Sequence, residues 1–173
     1  MVSNKKRLYI ALYPSGVRDN IERKYHWGFL IGPKLESQAQ VPGVQYHVKN
    51  TPFEGWVYEE NPLQNVKCTA PLLARVLIAK VKDEGRLIKI FRDTPVVQNN
   101  ADWRCRTWIA DALRRISEDG GAVGTAVLDW AKIERCARDY VSKKSDEGRY
   151  GPGKDMLMDK PTWDMIERKE LIS

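Results

Sequence analysis

Apolar side chains recur at Cys105, Trp108, Ile109, Ala112, Leu113 and Ile116, a spacing of i, i+3, i+4, i+7, i+8 and i+11. That period puts all six on one face of an α-helix, and such a face must be buried against another layer. The residues ahead of it indicate what that layer is. Arg7–Tyr13, Tyr25–Ile31, Val44–Lys49, Gly55–Glu59 and Ala74–Val81 are short runs rich in aromatic and β-branched side chains. Turn residues separate them, among them Pro14-Ser15-Gly16, Gly32-Pro33 and Pro42-Gly43. Strands that follow one another at this spacing predict an antiparallel meander rather than βαβ units. The expected fold is α+β, an antiparallel sheet from the first half packed against helices from the second.

Further elements follow from the same rules. Asp83–Phe91 reads as a short helix that stops before Pro95. The helix through Cys105 has Asn99, Asn100 or Asp102 available to cap its start and Gly120-Gly121 to end it. Another helix is expected from about Thr125 to Ser142, with Ile133, Ala137, Tyr140 and Val141 on its apolar face. Ser145–Asp155 contains three glycines and a proline and has the composition of a linker. Pro161-Thr162 then opens a short helix anchored by Trp163 and Ile166. The expected organisation is one domain over 1–144, followed by a linker and tail over 145–173.

The chain has 173 residues and a formal charge of +6, but its basic residues are dispersed in pairs such as Lys5-Lys6 and Arg114-Arg115. No block of like charge forms a nucleic-acid arm, so nucleic acid is not the expected partner. No apolar run approaches the ~18 residues that span a bilayer. The three cysteines are an odd number and none are close in sequence, which fits a reducing, cytoplasmic setting rather than a disulfide framework. Paired Cys or His at zinc-ligand spacing is absent, and neither a metal nor a cofactor is expected.

The two histidines, His26 and His47, both fall on expected strands. Cys105 falls in the first turn of the best-defined helix, as its third residue if Asp102 is the cap. Unpaired backbone N–H groups and the helix dipole favour an anion there. Such a setting, or a nearby imidazolium, lowers a thiol pKa from about 8.5 to roughly 3.5–7.5. On this reading Cys105 is an activated nucleophile, His26 shares its proton, and His47 holds His26 in the required tautomer. A plainer reading fits the spacing equally well. Cysteine is among the most buried residue types, and Cys105 lies on the apolar stripe of its helix.

The run Tyr25-His26-Trp27-Gly28-Phe29-Leu30-Ile31-Gly32 resembles the His-Trp strand of the lecithin retinol acyltransferase-like and phospholipase/acyltransferase families. These are circularly permuted members of the NlpC-type, papain-like superfamily. In them a histidine strand comes first, a second polar residue, often histidine, follows on the next strand, and the cysteine starts a later helix. His26, His47 and Cys105 stand in that order, and Asn99–Trp108 resembles the cysteine-bearing helix start. Arg104 stands where the family commonly has asparagine, the interval between the histidines is longer, and no hydrophobic tail follows. The chain also resembles a group of fungal proteins of unassigned function.

The resemblance implies a permuted papain-like fold and cysteine-dependent hydrolysis or acyl transfer on an amide, ester or thioester. A peptide or small molecule is the substrate it implies. Cys105, His26 and His47 would be catalytic, with Arg23, Tyr25 and Trp27 as candidate substrate or oxyanion contacts. The alternative is a binding module of the same fold, for a peptide or small metabolite, in which the cysteine and histidines perform no chemistry.

Overall fold

The computed structural model describes residues 5–173. Its sheet begins with the expected meander of β1 (Arg7–Pro14), β2 (Tyr25–Gly32), β3 (Gly43–Thr51), β4 (Gly55–Leu63) and β5 (Ala74–Val81). The strand order is β4-β3-β2-β1-β5, and every neighbouring pair along it is antiparallel. The α+β architecture expected from the sequence is the architecture of the protein.

Side chains alternate across this sheet as a strand period of two requires. One face carries Leu8, Ile10, Leu12, Trp27, Phe29, Ile31, Tyr46 and Val48 into the main core. The helices α1 (Glu84–Asp93) and α2 (Cys105–Asp119) pack against it, together with Ile133, Ala137, Tyr140 and Val141 of the last helix. All six residues of the α2 stripe are buried. Phe91 stacks on Phe29 at 4.7 Å between ring centroids, and Trp108 meets Phe29 edge-on at 5.7 Å. The opposite face carries Tyr9, Ala11, Tyr13 and Leu30 into a smaller cluster with Val41, Val66, Leu72 and Leu77.

Two expectations for the second half are corrected. The helix expected from Thr125 starts later, as α3 (Trp130–Asp146), because Asp129 caps it by accepting from the Lys132 N–H. Ahead of it, β6 (Val123–Ala126) lies along the end of β5, where Val81 pairs with Val123 and Ala79 with Ala126. The tail forms no helix. Thr162–Asp164 is β7, parallel to β5, and Lys169–Ile172 is β8, antiparallel to β7. Trp163 and Ile166 are anchors at helical spacing, but the open edge of β5 satisfies the backbone of this segment instead. Asp164 closes the turn by accepting from the N–H groups of Ile166 and Glu167.

Residues 162–172 are therefore part of the sheet. Arg75, fully buried on β5, ties them in. Its guanidinium makes a bidentate pair with Glu36, donates through Nε to Thr162 Oγ1 at 3.1 Å, and stacks on Tyr9 at 4.4 Å. Among the described residues, no helix is long and apolar enough to cross a membrane.

Candidate active site

The site forms where the sheet comes apart. β3 pairs with β2 only from Phe29↔Tyr46 to Ile31↔Val44, while β3 and β4 stay paired along their whole length. At the His26 end β2 and β3 therefore part company, and the start of α2 reaches that opening. A cavity of about 710 Å³ occupies it, and Cys105, His26 and His47 all line it.

A polar row crosses four strands on the face opposite the main core. Tyr13 of β1 pairs with His26 of β2, ring centroids 5.7 Å apart. His26 Nε2 lies 2.7 Å from His47 Nδ1, and His47 Nε2 lies 2.9 Å from Glu59 Oε2. Glu59 sits directly across from His47 in the β3–β4 register. Its carboxyl is held down to about 2, first by the hydrogen bond from Lys49 and further by His47 and Asn61.

These contacts fix the tautomers. An ionised Glu59 only accepts, so His47 Nε2 carries a proton and donates to it. A neutral His47 then has its lone pair on Nδ1, which accepts from His26 Nε2–H. His26 Nδ1 is left with the free lone pair of the row. Asn61 Nδ2 also lies 3.3 Å from His47 Nε2, but its two amide hydrogens are matched at shorter range by Gln45 Oε1 and Glu59 Oε2, so the His47 Nε2 proton remains directed at Glu59. Both imidazoles rest neutral. Burial, and then the neighbouring His47, hold His26 down to about 4, and burial likewise lowers His47 against the pull of Glu59.

Cys105 is buried, and it is the first residue of α2 rather than the third. Asp102 is not the cap: it lies in a turn closed by Asn100 Oδ1 on its N–H, and the cap position falls two residues later at Arg104. The chain remains extended at Arg104, whose N–H donates to Thr107 Oγ1 and closes the first turn. The thiol is also not acidified as expected. Backbone N–H groups of Trp27, Arg106 and Cys105 and the Arg104 charge favour the thiolate, but desolvation outweighs them and the net shift is upward. Among the described residues, no hydrogen bond joins the sulfur to His26, and the pair faces one cavity as neutral thiol and neutral imidazole.

The candidate contact residues divide. Arg23 is exposed on the β1–β2 loop, and Tyr25 is buried, edge-on to Trp27 at 6.3 Å. The Trp27 indole is in the main core, so this residue faces the site through its backbone N–H. Arg106 pairs with Glu22 and, at 3.8 Å, with Glu134, while Arg138 donates to the carbonyls of Ile21 and Glu22. These bonds fasten the β1–β2 loop to α2 and α3 as one wall of the cavity. Cys68 and Cys136 are free, half-buried and outside the cavity lining. Among the described residues, no cluster of three or more His, Cys, Asp or Glu is arranged to hold a metal.

Glu59 was missed by sequence reasoning, although a signal existed. Thr51 pairs with Gly55 across a short turn, and counting outward from that turn puts Glu59 opposite His47.

Fold and site together define an α+β domain with an imidazole–imidazole–carboxylate row on a cavity that a helix-start cysteine also lines. The chain belongs to the family of unknown function DUF6914, which it matches over residues 5–172. No curated protein and no solved structure matches it.

Proposed function

We propose that the protein is a cysteine-dependent hydrolase or acyltransferase acting on an amide, ester or thioester, with a permuted papain-like, NlpC-type arrangement. The observation that carries this reading is the Glu59–His47–His26 row. It leaves a neutral imidazole with one free lone pair on the cavity that Cys105 also lines.

Because thiol and imidazole both rest uncharged, attack and proton transfer occur together rather than from a preformed ion pair. The Cys105 Sγ–carbon bond forms as the thiol proton passes to His26 Nδ1. The oxyanion is held by the Cys105 N–H, one of the helix-start donors that have no intrahelical acceptor. The carbonyl re-forms, the bond to the leaving group breaks, and His26 returns its proton to that group. Water or an acceptor nucleophile then gives a proton to His26 and resolves the thioester. His47 and Glu59 orient His26 and stabilise the imidazolium that appears during both steps. Substrate binding must bring Sγ and Nδ1 together, as catalytic hydrogen bonds often tighten in the Michaelis complex.

The buried thiol without a hydrogen bond to His26 favours a second reading, a binding module for a peptide or small metabolite. Intact-mass measurement on protein incubated with a panel of activated esters and thioesters separates the two. Acylation of Cys105 that disappears in Cys105→Ala and is strongly slowed in His26→Gln supports the enzyme. Equal adducts in wild type and Cys105→Ala, or none with any acyl donor, would leave the binding module as the function.

A further inference from the structure

The charges around the cavity are not balanced. Its charged lining residues are Glu22, Arg23, Lys49, Arg104 and Arg106. Glu22 is neutralised by Arg106, and Lys49 is held by Glu59 at 2.7 Å. Arg23 and Arg104 have no carboxylate partner among the described residues. Arg23 is exposed on its loop, whereas Arg104, the residue before Cys105, is partly buried with a guanidinium still open to solvent and to a ligand in the cavity. Of the five guanidinium N–H donors of Arg104, one is used among the described residues, by Nη2 to the Ala101 carbonyl at 3.3 Å. Its role as the residue before the helix needs only its backbone, since the Arg104 N–H bonds Thr107.

We infer that Arg104 is an anion-binding residue of this site, and that the substrate carries a carboxylate on its acyl portion, close to the scissile carbonyl. A planar guanidinium with free donors matches a carboxylate bidentately. The inference rests on the reading that Cys105 is the nucleophile, because that reading puts the scissile carbonyl beside Arg104. Glu22, the one acidic residue among the described lining, is paired with Arg106, and Glu59 behind His47 is paired with Lys49, so among the described residues no unpaired carboxylate faces the incoming charge. The field of Arg104 also reaches the sulfur, since it is one of the influences that favour the thiolate.

Alkylation of Cys105 tests this without a known substrate, because iodoacetate and iodoacetamide deliver nearly the same group with and without a carboxylate. The two rates at Cys105 are followed by peptide mass spectrometry, and their ratio is compared with that of the same thiol in the urea-unfolded chain. Folding is expected to raise the iodoacetate-to-iodoacetamide ratio by about tenfold, the worth of one charge-assisted hydrogen bond near 1.5 kcal/mol. The gain should shrink as salt rises and fall away in Arg104→Gln, while Arg104→Lys keeps part of it. Circular dichroism melts confirm that both variants are folded, and the salt dependence of the wild type needs no variant. A ratio no higher than in the unfolded chain, with iodoacetamide still labelling Cys105, overturns the anionic substrate and leaves the nucleophile in place. Failure of both reagents to reach Cys105 in the folded protein overturns both.

Discussion

A side chain begun at Gly28 would sit 3.2 Å from the Cβ of His47. Gly28 is on β2 just beyond its last pair with β3, and the missing Cβ lets His47 approach His26 to 2.7 Å. The Gly28 backbone needs no left-handed conformation, so the requirement is for space. Gly28→Val should push His47 aside, cost about 1–3 kcal/mol from overpacking, and lower Cys105 acylation by an order of magnitude or more. A variant that melts like the wild type and is acylated at the wild-type rate would show that the close approach has no consequence.

On the proposed mechanism Glu59 acts on Cys105 through two imidazoles, so replacing it should change where protons sit before it changes anything else. In the wild type both rings are expected as Nε2–H tautomers, which nitrogen-15 shifts of the histidines report directly. In Glu59→Leu the obligatory acceptor is gone, and His47 and His26 should populate mixed tautomers while the fold persists. Acylation by the activated esters should drop roughly ten- to a hundredfold, the usual worth of an orienting partner, with Glu59→Gln intermediate. Unchanged tautomers in Glu59→Leu would remove the carboxylate from the site.

Acid should destabilise the protein in two successive windows. His26 is a base whose pKa falls from 6.5 in the unfolded chain to about 4 when folded, so between those values the unfolded chain binds more protons. Its contribution is intact above pH 6.5 and is lost as pH falls towards 4, by at most about 3 kcal/mol. Glu59 has the same linkage sign for a different reason, a carboxyl whose charged form is favoured and whose pKa is depressed to about 2, and its contribution is lost as pH falls through the carboxylate range below 4.5. Urea unfolding of His26→Gln should therefore be flatter between pH 6.5 and 4, with the lower window unaltered. Parallel pH curves for wild type and His26→Gln would contradict a buried neutral imidazole.

The parts of this molecule legible in the sequence are those whose order is local. Alternation on β1 to β5 and the stripe from Cys105 to Ile116 each determine which face is buried, whatever lies opposite. β6 and β7 were not legible because short segments take the conformation that an open edge of β5 offers, and the edge is a property of the whole sheet. Cys105 and the two histidines could be singled out by residue type and place. That His47 would bond His26 was expected from residue type and strand order, and the rings do meet; the register that brings them together was not legible, because the long β2–β3 connection leaves it unspecified. The thiol's pKa direction was misjudged for a related reason. The helix start is local and visible, whereas the burial that overrides it comes from distant parts of the chain.

Lys160 supplies a prediction remote from the cavity. It is fully buried just ahead of β7, its backbone bonded to Lys67 and Thr162, and among the described residues its ammonium reaches only the thioether of Met156 at 3.9 Å. A thioether is a weak acceptor, and burial lowers the ammonium pKa from its usual 10.5. Between the lowered value and 10.5 the unfolded chain holds more protons than the folded one, so stability should rise with pH across that window. Lys160→Met keeps the length of the side chain and removes the charge. It should stabilise the protein at neutral pH by about 1–3 kcal/mol, the cost of a buried donor without a good acceptor, and erase the alkaline rise. Thermal melts at pH 7 and pH 10 measure both effects. A lower melting temperature for Lys160→Met at pH 7 would mean that the buried ammonium contributes favourably to the β5–β7 junction, against this account.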